Sequence, residues 1–106
     1  MTFQEFFDSI KKQFGGADVS KINDHLAFQF NVTGEGGGIF YAEVKDGKLS
    51  IEPYEYYDRD AILIASARNF EKILSGKLDP VLAFTTGRLK VEGSIEKALR
   101  LKDIIG

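Results

Sequence analysis

Apolar residues at Phe3, Phe6, Phe7, Ile10 and Phe14 recur at the spacing of one helical face, and Thr2 followed by Glu5 supplies a capping box. An amphipathic opening helix is predicted. Gly15 and Gly16 end it, since glycine accepts the left-handed conformation common just past a helix C-terminus. From Leu26 the period changes to two: Leu26, Phe28, Phe30 and Val32 alternate with Ala27, Gln29, Asn31 and Thr33, the pattern of a half-buried strand. The glycine-rich "GEGGG" leads into a second strand, Ile39 to Lys45, with Phe40, Ala42 and Val44 on one face. Asp46-Gly47 then signals a type I′ hairpin turn into Leu49 and Ile51, because that turn needs positive φ at both central positions. These three strands form a meander, which Pro53 ends.

The second half of the chain is punctuated more closely. "AILIAS", Ala61 to Ser66, is a continuous apolar run suited to a central strand covered on both faces. Ser66 caps a helix carrying Phe70, Ile73 and Leu74, which Gly76 ends. Asp79-Pro80 starts another short helix with Val81, Leu82 and Phe84, and Gly87 stops it. Leu89 and Val91 in "RLKVEG" make a fifth strand. Ser94 caps one last helix, whose apolar residues Ile95, Ala98, Leu99, Leu101, Ile104 and Ile105 sweep about 220°, wider than a single buried stripe requires. That helix is expected to touch two apolar surfaces. The elements add up to an α+β fold: a single curved five-stranded mixed sheet covered by helices, in one domain over residues 1–106.

Composition narrows the functional classes. The 106 residues include no cysteine, so neither disulfides nor thiolate metal sites hold the fold, and the core must supply the stability. A net charge of −2 provides no global positive field for phosphates, which argues against nucleic acid as a partner. "MTFQEFFDSI" lacks the features of a signal peptide, no segment reaches the roughly 20 apolar residues of a membrane span, and "KDIIG" matches no organelle address. A cytoplasmic protein without an anchor is expected.

Catalytic chemistry has few candidates. His25, the only histidine, has no Ser/Asp partner or second metal ligand near it in sequence. Asp58 and Asp60 flank Arg59, the arrangement of a solvated loop rather than an acid/base pair. "GEGGG" lacks the Lys-Ser/Thr of a Walker loop, and Ile39 stands where a dinucleotide fingerprint needs its third glycine. No enzyme activity, cofactor or metal is expected. The cations Lys72, Lys77, Arg88, Lys90, Lys97, Arg100 and Lys102 crowd the C-terminal third, either as a solvated face or as a transient contact with a membrane surface.

The stretch "ILSGKLDPVLAFTTGRLKVEGSIEKALRLKDII" closely resembles the C-terminal signature of the sterol carrier protein type 2 domain family, and "FQFNVTGEGGGIFYAEVKDGKL" resembles its glycine-bearing meander. The resemblance covers essentially the whole chain, and its motifs are structural rather than catalytic. It implies a non-enzymatic intracellular lipid carrier, with a hydrophobic tunnel between sheet and helices for a fatty acid, fatty acyl-CoA or sterol-like ligand. The expected lining is Phe70, Leu74, Leu82, Phe84, Leu99, Leu101 and Ile105. Tyr54, Tyr56 and Tyr57 would serve the tunnel mouth or cover a sheet edge. The ending "IIG" departs from the peroxisomal address of many eukaryotic members. The alternative is an accessory factor that presents a prenyl or quinone intermediate to a partner enzyme.

Overall fold

The computed structural model describes residues 2–105, with Ile105 as backbone only. Helix α1 (Phe3–Phe14) opens with the expected reciprocal cap: the Glu5 N–H donates to Thr2 Oγ1 at 3.2 Å, and the Thr2 N–H donates to Glu5 Oε1 at 3.0 Å. Its end differs from expectation. Gly15 keeps a right-handed φ of −58°, and its N–H reaches the Lys11 carbonyl at 2.7 Å. A Cβ there would lie 2.5 Å from that carbonyl oxygen, so close approach rather than handedness requires the glycine.

Strands β1 (Leu26–Thr33), β2 (Gly38–Lys45) and β3 (Lys48–Glu52) form the antiparallel meander. Asp46 and Gly47 both adopt positive φ, 53° and 73°, as the turn demands. Strand β4 (Ala61–Ser66) returns parallel to β1, and β5 (Lys90–Gly93) pairs antiparallel with β4, giving the order β3-β2-β1-β4-β5. The middle strand is therefore β1. It is also the strand covered on both faces: Leu26 to Phe30 are buried without a break, because residues 53–60 cross its outer side. In β4 burial alternates, and Ile62 and Ile64 are half-buried on the outer face. An apolar run predicts two-sided cover only where a second layer exists, and the half-burial of Ile62 and Ile64 shows that among the described residues the cover over that side of β4 is incomplete.

On the inner face sit α1, α2 (Ala67–Leu74), α3 (Pro80–Thr85), α4 (Ile95–Leu99) and α5 (Leu101–Ile105). The predicted last helix is thus two. The break falls at Arg100, whose guanidinium binds Asp24, in the connector before β1, and Asp103. The wide apolar arc explains the break: a straight helix buries one stripe, whereas here α4 buries Ala98 and α5 separately buries Leu101 and Ile104. Among the described residues every buried side-chain polar atom has a hydrogen-bond partner.

Candidate functional site

The inner face of the sheet is built on phenylalanine. Pairing sets Phe30 opposite Phe40 on one side and Leu63 on the other. The Phe30 and Phe40 rings stack at 4.5 Å, Phe70 of α2 meets Phe30 edge-on at 5.4 Å, and Phe6 and Phe7 of α1 meet Phe40 at 6.3 and 5.7 Å. Each fully buried phenylalanine contributes about 1.5–3 kcal/mol, so this cluster anchors the helical layer.

Beside the cluster the packing is incomplete. Ala42 follows Phe40 on the same face, between Phe28 of β1 and Ile51 of β3, and its methyl leaves space that a larger side chain would fill. A cavity of about 20 Å³ results, with an entirely apolar lining. Its sheet wall is Phe30, Phe40, Ala42, Leu49 and Ile51. The helical wall comes from Ile10 and Phe14 of α1, Leu74 of α2, and Leu101 and Ile104 of α5.

Two residues expected from the sequence, Leu74 and Leu101, therefore meet at this cavity. Phe70 stands one ring away, against Phe30. Leu82 is on the surface, 52% exposed, while Phe84 and Leu99 are half-buried and do not line the cavity. The side chain of Ile105 lies outside the described residues. Sequence reasoning missed Ile10 and Phe14, because the α1 stripe reads equally as ordinary core. It also missed the meander wall, where Ala42 between two bulky neighbours was the available signal.

The outer face carries directed polar contacts. The Tyr56 hydroxyl donates to Glu43 Oε2, which also lies 2.6 Å from His25 Nε2, and the Tyr56 N–H donates to Gln29 Oε1 at 3.2 Å. Gln29 is 4% exposed, and the Tyr41 and Tyr56 rings lie 4.8 Å apart. Burial raises the Glu43 pKa, but the hydrogen bonds from His25 and Tyr56 outweigh it, and the net shift is downward. The Glu43 hydrogen bond, followed by desolvation, pushes the Tyr56 hydroxyl up to about 12. The tyrosine thus covers the sheet on the side away from the cavity. Asp60 is more than a solvating charge: its carboxylate accepts from the Ala27 N–H at 2.9 Å and from Lys97 Nζ at 3.2 Å. Among the described residues no group of three or more His, Cys, Asp or Glu is placed to hold a metal, and no helix is long and apolar enough to cross a membrane.

An open mixed sheet with helices over one face is the fold that this chain shares with sterol carrier protein 2 structures. The chain belongs to the SCP-2 sterol transfer family, which matches it over residues 3–106. Hydroxysteroid dehydrogenase-like protein 2 of Rattus norvegicus is 34% identical over 79 residues, 74% of this chain, and the match spans 15% of that protein's length. Three solved structures share the fold at low identity. The Pseudomonas sec-alkylsulfatase Pisa1 aligns with all of this chain and 16% of its own, at a TM-score of 0.75 and 18% identity. Palmitated SCP2L2 from Aedes aegypti aligns over 99% and 95% of the two chains, at 0.69 and 19%. The ubiquinone synthesis protein UbiJ-SCP2 aligns over 96% and 86%, at 0.68 and 12%.

Proposed function

We propose that this domain is a non-enzymatic carrier that takes one fatty acid, fatty acyl-CoA or sterol-like ligand between the meander, α1 and α5. The observation that carries the reading is the apolar cavity, walled by six elements of the chain in a member of the sterol transfer family. The palmitated Aedes aegypti neighbour supports an acyl chain as one occupant.

At about 20 Å³ the cavity holds roughly one water-sized body. Ligand sites measure roughly 300–1,000 Å³, so uptake must expand this one. The helical wall supplies the movable part: α5 is five residues long and contributes Leu101 and Ile104. Uncovering each costs about 1.5–3 kcal/mol, whereas burying ten ligand methylenes gains roughly 8 kcal/mol before association costs. A chain of that length outweighs the displacement, and much shorter ligands do not.

A second reading, an accessory factor presenting a prenyl or quinone intermediate to a partner enzyme, draws on UbiJ-SCP2. Native mass spectrometry of the purified chain with lipid extraction, joined to fluorescent-fatty-acid titration, separates the two. Acyl or sterol adducts and saturable uptake are expected for the carrier. Prenyl adducts alone would transfer the assignment to the accessory reading, and neither adduct nor uptake would sink the carrier.

A further inference from the structure

The seam between α1 and α2 has two sides of opposite character. Beneath it, Ile10 and Phe14 of α1 and Leu74 of α2 wall the apolar cavity. Outside, their sequence neighbours Ser9, Gln13 and Ser75 line an open cleft of about 380 Å³, which Arg68, Glu71, Lys72 and Lys77 complete. Consecutive residues of a helix point about 100° apart, so each helix passes from the apolar space to the polar one within a single step of its sequence.

Charge gives the cleft its chemistry. Three cations stand round it against the single Glu71, although the whole chain has a net charge of −2. Among the described residues none of the three forms an ion pair, and Lys72 is half-buried, so its charge is partly desolvated without a partner. Like charges gathered in one place also repel, and an anion between them relieves both costs. The negative end of the α2 dipole, which would oppose an anion, is covered: the Lys72 carbonyl accepts from the Ser75 hydroxyl at 3.3 Å and from the Lys77 and Leu78 N–H groups at 2.8 and 3.0 Å. A second cleft, at Thr33, Asn69, Arg88 and Lys90, also holds two cations, but none of its residues adjoins a cavity residue in sequence.

We propose that the Arg68, Lys72 and Lys77 cleft is a head-group subsite: it takes the carboxylate or phosphate of an acyl ligand whose tail passes between α1 and α2 into the cavity, and so favours acidic lipids over sterols and other neutral ones. The subsite rests on the carrier reading, to which it adds the chemical class of the ligand.

Calorimetric titration of the full chain with dodecanoate, dodecyl phosphate and dodecanol, which share one tail and differ in the head, tests the subsite. Both acids are expected to bind about tenfold more tightly than the alcohol, by a margin that shrinks with added salt. Whichever acid binds more tightly identifies the head group as carboxylate or phosphate. In Lys72→Gln/Lys77→Gln the acids should fall to the level of dodecanol while dodecanol binds as before, and Arg88→Gln/Lys90→Gln, in the other cleft, should change none of the three. Dodecanol binding as tightly as the acids, or a lysine variant that weakens all three ligands alike or leaves the acids unchanged, overturns the subsite and leaves the carrier reading standing. So does an equal loss of acid binding in Arg88→Gln/Lys90→Gln, which would reduce the preference to overall charge. Binding of none of the three ligands removes the carrier reading, and the subsite with it.

Discussion

The two faces of the sheet are held by different physics. On the inner face Phe30, Phe40 and Phe70 pack by shape, next to a gap at Ala42. On the outer face Tyr56, Glu43, His25 and Gln29 are joined by directed hydrogen bonds. Apolar packing lets one side chain replace another, or a ligand replace both, provided volume is conserved. A hydrogen-bonded group left without its partner incurs the full desolvation cost. On the proposed carrier reading an occupant would remodel the inner face, while the hydrogen bonds of the outer face would keep the strands in place.

The largest expected effect comes from breaking the inner cluster. Phe30→Ala removes the ring against which Phe40 and Phe70 rest, and should cost about 3–5 kcal/mol in denaturant unfolding. A loss below about 1 kcal/mol would mean that the cluster is not the anchor of the helical layer. Next is Ala42→Leu, which fills the gap rather than enlarging it. Overpacking should cost about 1–3 kcal/mol, and fatty-acid uptake should fall at least tenfold, read by fluorescence titration. Full uptake by a folded variant would move the site away from the meander.

The smallest effect sharpens the contrast from the other side. Tyr56→Phe should cost about 1 kcal/mol and leave fatty-acid uptake unchanged. The same contact has a pH signature. Because the folded Glu43 pKa lies below its ordinary 4.5, its contribution is present above that value and lost as pH falls through the lower folded one. The Tyr56 hydroxyl, raised from 10.0 to about 12, contributes below 10.0 and loses that contribution as pH rises toward 12. Unfolding curves across pH should show both losses in the unsubstituted chain, with the alkaline loss smaller in Tyr56→Phe, where Tyr41, raised by its burial, supplies what remains.

What the sequence made legible was local. Thr2 and Glu5, Asp46 and Gly47, and Ser66 and Asp79 define caps and turns within a few residues of themselves, and all appear as read. What it left obscure depends on distant partners. The break between α4 and α5 follows from two apolar surfaces formed by distant elements, and Arg100 at the break pairs with Asp24, 76 residues away. The cavity forms where α1 and α5, from opposite ends of the chain, approach the meander, so Ile10, Phe14 and Ile104 show no pattern that ordinary core lacks. Leu82 marks the opposite failure: hydrophobic character predicts burial only when a neighbouring element covers the side chain, and α3 has no cover on that side.

Asp60 carries one more consequence. It binds Ala27 twice, donating its own N–H to the Ala27 carbonyl at 2.8 Å and accepting the Ala27 N–H on its carboxylate, one step before Phe28 pairs with Ala61. The double contact works as a stop that fixes how far β4 slides along β1. Side chains alternate between faces, so a slip of one residue would set Ile62 rather than Leu63 beside Phe30, and the apolar sets of the two strands would no longer share a layer. A single carboxylate in a loop thereby helps to set which side chains reach the inner face of the sheet.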